Sequence, residues 1–436
     1  MAHSAEALQA VPAEVGRRFA WRVMWFLFSA SMLNYMDRAV LGVLMPQVRR
    51  DLGLSNTDYG LALNAFLTVY AVMYVWGGRL ADRLACRRSF VWTIVFWSVA
   101  NMLHGFASGL WTLSLFRAML GAGEGAFYPA AIRGAAEWFP PKDRAKAVGL
   151  LLSGISLGTL LTPPLVVWIS MRFGWRAAFV ITGALGLVLL PGWLHLHRRI
   201  RQRYGVSDPA PAARDAERIE PVAGGVSLRS ALGARKYWCA LSSRAMTDAA
   251  WYFYLFWMPG YFQEVRAFTP AQVGGLLWIP YFCGGVGSVG GAWLSSTLIA
   301  RGWSLDRGRK AVLYAALLLA AFGGSAFWMA NPMAALGVIS LALLGHQAFA
   351  SNIHTVITEI SPPRHVAVLY GITGAAGTLL GALSQPVIGR IVDLQGYGAV
   401  FATAGLLYVA GAGLLAAMGR IEPISERRSL RRPATG

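Results

Sequence analysis

The feature that most constrains this chain is a succession of long apolar runs divided by short polar, Gly or Pro breaks. Twelve can be marked, at about 20–46, 58–80, 89–107, 110–134, 146–170, 176–196, 238–263, 270–300, 311–330, 333–358, 366–390 and 397–418. A helix of ~20 residues crosses a hydrocarbon layer. The runs are too long and too continuous for strands, and in lipid each must satisfy its own backbone hydrogen bonds, which a helix does alone. Composition agrees: 14% of residues are charged and 56% apolar, against roughly a quarter charged in soluble domains. The expected fold is an all-α membrane protein with twelve transmembrane helices.

The formal charge of +19 would suit nucleic acid, but its placement argues against that partner. With a cytoplasmic N-terminus, 30 of the 39 Lys and Arg fall in inner segments and 6 in outer ones; Arg38, Arg117 and Arg244 lie within spans. This bias puts both termini inside, with the basic loops facing an anionic leaflet. No cleaved leader is expected in the first twenty residues. Cys86, Cys239 and Cys283 are far apart, which gives neither a disulfide framework nor a zinc signature. No nucleophile–base–orienter set stands out, so an enzyme, a metal and a cofactor are not expected.

A shift of 222 residues superposes parts of the chain on itself. Pro140 and Pro141 meet Pro362 and Pro363, and Gly149 meets Gly371. Pro164 meets Pro386, and Gly174, Phe179 and Gly183 meet Gly396, Phe401 and Gly405. Shared apolar composition would match Leu and Ala, not these residues. The reading is two pseudo-symmetric six-helix halves: 1–196, a polar cytoplasmic linker over 197–236 with a short helix near Ser227–Leu232, 237–420, and a tail from 421 to 436. Parallel halves place a cavity between them near the midplane.

The loop after the second span, Gly77-Gly78-Arg79-Leu80-Ala81-Asp82-Arg83-Leu84-Ala85-Cys86-Arg87-Arg88, is similar to a signature of the major facilitator superfamily. It departs at Ala85 and Cys86. The resemblance implies a gating loop built on Gly78, Asp82 and Arg83. Asn34-Tyr35-Met36-Asp37-Arg38, Phe116 to Glu124 and Trp138 to Pro141 resemble the anion:cation symporters within it. The segments Arg244 to Asp248, Trp251 to Trp257 and Gly345 to Asn352 resemble the hexuronate transporters.

Ionisable groups within spans are costly and face a cavity or a partner. Asp37 and Arg38 lie in span one, Arg117 and Glu124 two turns apart in span four, and Arg244 and Asp248 one turn apart in span seven. Arg117 is the first candidate for a substrate carboxylate, because its planar fork can hold one bidentately. Asp37 and Glu124 are candidate proton carriers with Arg38 as partner, roles the resemblance supports. Arg244 and Asp248 read as a structural pair. Neutral candidates for substrate hydroxyls are Asn34, Tyr70, Tyr74, Trp251, His346, Gln347, Ser351 and Asn352. Ile155 and Gly374 stand where aldonate carriers are expected to hold polar side chains, which weakens a galactonate assignment. Phe127 stands where a polar residue is expected, and an aromatic there would narrow the cavity or favour a more apolar acid.

These residues imply a monomeric symporter in a bacterial inner membrane. It would take up a small organic anion, a hexuronate such as glucuronate, together with protons. Alternatives are uptake of an aromatic or dicarboxylic acid by the same mechanism, or a receptor that binds a sugar acid without carrying it.

Overall fold

The computed structural model describes residues 13–139, 141–204 and 226–424; the side chains of residues 13–17, 75, 78–85, 136, 137, 141, 142, 145, 203, 204 and 367 lie outside that description. The described chain is helical throughout, with no strand among the described residues. In order the helices are α1 (Ala13–Leu52), α2 (Asn56–Leu103), α3 (Leu110–Trp138), α4 (Pro141–Tyr204), α5 (Leu228–Leu232) and α6 (Arg235–Glu264). They continue with α7 (Pro270–Leu276), α8 (Trp278–Ala300), α9 (Leu305–Phe322), α10 (Pro332–Ile360), α11 (Val366–Gln395) and α12 (Tyr397–Ala417).

Two of these helices are each two spans. In a straight helix Phe66 and Trp97 would lie ~46 Å apart. Both nevertheless meet α3, because a side chain on Gly121 would strike the Phe66 carbonyl and one on Gly123 would come 2.8 Å from Trp97 Cβ. Tyr70 beside Gly125 and Cys86 beside Gly134 give the directions: the 56–77 part runs parallel to α3 and the 86–103 part antiparallel to it. The chain therefore turns back between Gly77 and Cys86. In α4 the reversal falls at Gly174, whose φ of 81° suits a residue without a Cβ. Gly396, its partner in the 222-residue repeat, has φ 77° and divides α11 from α12. The two halves thus share a backbone feature as well as a sequence pattern, and twelve spans result.

Seven helical segments among the described residues are long and apolar enough to cross a membrane, and one of them, Lys146–Gln202, holds two spans; α1, the first part of α2, α3 and α6 are not among them. Three of these four carry the buried charges. Large apolar side chains such as Trp92, Trp111, Val188, Val289, Leu318 and Leu406 face outward, the arrangement expected for a lipid-facing belt.

The halves meet at the end of the bundle where α1 gives way to α2. There the Ser55 side chain caps α2, accepting from Asp58 N at 3.0 Å, while Asp58 accepts from Ser55 N at 3.0 Å. Asp393 of α11 adds a carboxylate from the other half. It accepts from Asn56 N (3.1 Å), Asn56 Nδ2 (2.9 Å), Thr57 N (2.8 Å) and Thr57 Oγ1 (2.7 Å). The first backbone N–H groups of a helix have no partner within it and carry positive potential, so an anion suits this place. Arg49 pairs with Glu264 at 3.0 Å, Tyr59 donates to the Phe256 carbonyl at 2.9 Å, and Asn64 donates to the Ala382 carbonyl at 2.9 Å. Between described residues, the hydrogen bonds that join the halves all lie at this end, which is closed.

Differences from the sequence reading are local. The run at 270–300 is interrupted at Leu277 into α7 and α8. The sixth span continues to Tyr204, beyond the expected boundary at 196. The short helix of the linker is present as α5, capped by Ser227.

Candidate functional site

Asp37 and Arg38 are neighbours on α1 and so point about 100° apart. Arg38 reaches α3, where its Nε and Nη2 donate to Glu124 Oε2 at 3.0 and 2.9 Å. Its guanidinium lies 4.4 Å from the Tyr35 ring centroid, 4.5 Å from Tyr70 and 5.3 Å from Phe66. Aromatic faces thus take over part of the water that burial removes. The pair is fully enclosed, and Glu124 Oε1 keeps no hydrogen bond.

Asp37 faces the other way, into the bundle of the first half. Asn101 Nδ2 donates to its Oδ1 at 2.8 Å and also reaches Thr182 Oγ1 at 2.9 Å. Asp37 Oδ2 has no hydrogen bond, and neither does the nearby Trp97 Nε1. A single neutral donor, Asn101, therefore holds this carboxylate, whereas Glu124 has a cation. Asp37 still lies within electrostatic reach of Glu124 and Arg117.

Arg117 is the outlier. It is 0% exposed, yet none of its three guanidinium nitrogens makes a hydrogen bond, and no carboxylate pairs with it. The nearest ring face is Phe66, at 5.9 Å. An unpaired buried cation costs several kcal/mol, so the site has an unmet demand for an anion. Arg117 sits two turns inside the N-terminus of α3, ~10 Å from the closed end, and Glu124 lies two turns deeper.

In the second half Arg244 and Asp248 approach to 3.4 Å on α6, but Arg244 Nε is not aligned for a hydrogen bond. Arg244 Nη1 instead donates to Thr373 Oγ1 on α11 at 2.7 Å. Of the neutral candidates, Tyr70 joins the Arg38 cluster. Tyr74 lies beside it, the two rings tilted with centroids 6.1 Å apart, and is within electrostatic reach of Arg244 and Tyr370 of the second half. Asn34 is buried with both amide atoms unpartnered, and Asn352 with its Oδ1 unpartnered. Three candidates are already engaged. Trp251 and His346 stack at 5.1 Å with planes 6° apart, His346 Nδ1 meets Tyr408 OH at 3.2 Å, and Ser351 bonds the Ala348 carbonyl. Gln347 lies against Gly284 of α8. The side chains of Gly78, Asp82 and Arg83 lie outside the described residues.

One expectation is corrected. Phe127 does not narrow a cavity; it is fully buried edge-on against Trp97 at 5.2 Å, within the first half. The residue after an inward-facing position on a helix turns ~100° away, and here it turns into helix packing. The sequence reading also missed Asn101 and Thr182. The available signal was an amide in an apolar run one turn beyond Ser98.

A family model described as Major Facilitator Superfamily matches residues 27–303. The chain belongs to the Major Facilitator Superfamily. It is a multi-pass membrane transporter rather than an enzyme. Among its relatives is a D-galactonate transporter of Escherichia coli O6:H1, 28% identical over 424 residues that cover 93% of this chain and 95% of that protein. Another is a hexuronate transporter of Escherichia coli K12, 26% identical over 398 residues, covering 90% and 92%. Among solved structures, the bacterial homolog of the human lysosomal transporter Spinster, in an inward-facing and unoccupied conformation, shares the fold. Its TM-score is 0.72 at 19% identity, over 92% of this chain and 95% of that one. The same superfamily fold thus carries this pattern of buried charges.

Proposed function

We propose that this transporter takes up a hydroxylated organic acid of the hexuronate class by proton symport through alternating access. The observation that carries the reading is the buried, unpartnered Arg117 guanidinium, which lacks the counterion every buried cation requires. A substrate carboxylate would supply it in bidentate form. The names of the relatives point to sugar acids, and to galactonate as much as to hexuronates. Both termini are cytoplasmic in this reading, by the bias of Lys and Arg. The closed end is then external, and the membrane is a bacterial inner membrane. The protein works as a monomer, its two halves joined by the segment between α4 and α6.

The cycle follows from charge. With every acid ionised, Asp37, Arg38, Arg117, Glu124, Arg244 and Asp248 sum to zero. One proton on Asp37 or Glu124 leaves a net positive site, and the anion returns it to zero. A neutral cavity can then cross the hydrophobic midplane at lower cost. Asp37, held by the neutral donor Asn101, takes the proton with less opposition than Glu124, which serves as counterion to Arg38. Release inside follows from the lower proton activity there.

The test is uptake of a panel of sugar acids into proteoliposomes, with and without an inward proton gradient. Gradient-dependent accumulation of a hexuronate supports symport; uptake of every acid that ignores the gradient refutes it. Full affinity in Arg117→Lys would refute the bidentate role.

A further inference from the structure

The Arg244 and Asp248 side chains have more hydrogen-bonding capacity than their environment uses. Arg244 spends Nη1 on Thr373. Its Nη2 makes no hydrogen bond and is not sealed off, and neither carboxylate oxygen of Asp248 makes one, with 21% of that side chain exposed. A structural ion pair would close this gap with an aligned contact. Here 3.4 Å and poor alignment leave Arg244 Nε without a hydrogen bond, while the Asp248 oxygens stay open to solvent.

The facing helix keeps the space open. Gly374 of α11 lies opposite Nη2, where a Cβ would sit 3.6 Å away, and a Cβ on Gly377 would collide with Asp248 Oδ2. The Tyr370 ring flanks the guanidinium at 5.2 Å. The pair also faces the cluster of the first half, since Asp248 lies within electrostatic reach of Tyr35, the residue against Arg38. The absence of a polar side chain at position 374, which argued against an aldonate, leaves the Arg244 fork uncovered.

We propose that Arg244 and Asp248, with Asp248 seated in the gap at Gly377 and Nη2 left uncovered beside Gly374, form a second binding pole that reads a vicinal diol of the substrate. Asp248 accepts from one or both hydroxyls and Arg244 Nη2 donates to one of them. A carboxylate accepts only and a guanidinium donates only, and adjacent hydroxyls do both, so the chemistries match. This rests on the reading that the cargo is a hydroxylated acid, and it assigns the selectivity for hydroxyls to α6 and α11.

Glucuronate and cyclohexanecarboxylate separate the two poles: both carry a carboxylate on a six-membered ring, and only the first has hydroxyls. Their binding to purified protein, by ligand-induced thermal shift, would be compared in wild type, Asp248→Asn and Gly377→Ala. The expected result is a loss of glucuronate affinity of ~10-fold or more in both variants, with cyclohexanecarboxylate affinity unchanged. Parallel losses for both ligands, or no loss for either, overturn the second pole even if proteoliposomes show proton-driven uptake. Selective loss in a wild type that binds glucuronate without accumulating it supports the pole and overturns the symport reading instead. Wild type that binds neither ligand overturns both.

Discussion

Replacing Asp393 with Asn should weaken the closed end by an amount the structure allows to be worked out. The carboxylate accepts four hydrogen bonds from the first turn of α2, two on each oxygen, across the boundary between the halves. Asn keeps one accepting oxygen and turns an NH2 toward two donors, so about two bonds are lost, together with the negative charge at a helix N-terminus. A hydrogen bond to a charged group is worth ~1.5–3 kcal/mol when buried. Asp393 is exposed, so ~0.5–1 kcal/mol each is the fair figure after screening. The sum is ~1–2 kcal/mol, a shift of about 5–30-fold toward conformations open at this end. Spin labels at Leu52 and Gly275, on opposite halves at the closed end, would report it by double electron–electron resonance. Asp393→Asn should add or enlarge a long-distance population. An unchanged distance distribution would refute the idea that this carboxylate latches the halves.

Further outcomes follow from the same contacts. Gly60→Ala places a methyl against the Gln385 carbonyl of the other half; it should hold this end open and abolish transport while leaving detergent-purified protein folded by circular dichroism. Trp193, fully buried and stacked 3.9 Å from Phe90, should cost ~3–5 kcal/mol as Trp193→Ala, seen as a marked drop in melting temperature. Asn101→Leu removes the donor to Asp37 Oδ1 at 2.8 Å; the pH at which uptake is half-maximal should move, whereas Asn101→Ser should move it less, and an unaltered profile in both would exclude a positioning role.

Spans are legible from sequence because lipid imposes one requirement, an apolar helix of sufficient length, on every segment. The glycines of α3 could be read as close-approach points for a similar reason: only a missing side chain lets Gly121 sit against the Phe66 backbone. Pairing was not legible. Asp37 and Arg38 are adjacent in sequence, but the turn of α1 sends one to Asn101 and the other to Glu124, and only the packed bundle decides which guanidinium is left alone. Phe127 was misjudged for the same reason, since one residue of helix rotation separates a cavity wall from the Trp97 contact. The Asp393 latch joins residues 336 positions apart, and no local pattern announces it. Polar residues such as His346 and Ser351 look like ligands in a sequence, but some are spent on neighbours within their own half.

Substrate-driven proton movement tests the central claim most directly. In proteoliposomes loaded with a pH-sensitive dye, external glucuronate added without an imposed gradient should acidify the lumen through wild-type protein. Asp37→Asn should abolish that signal and keep counterflow exchange of the acid. Entry of glucuronate with no accompanying change in lumenal pH would contradict the account.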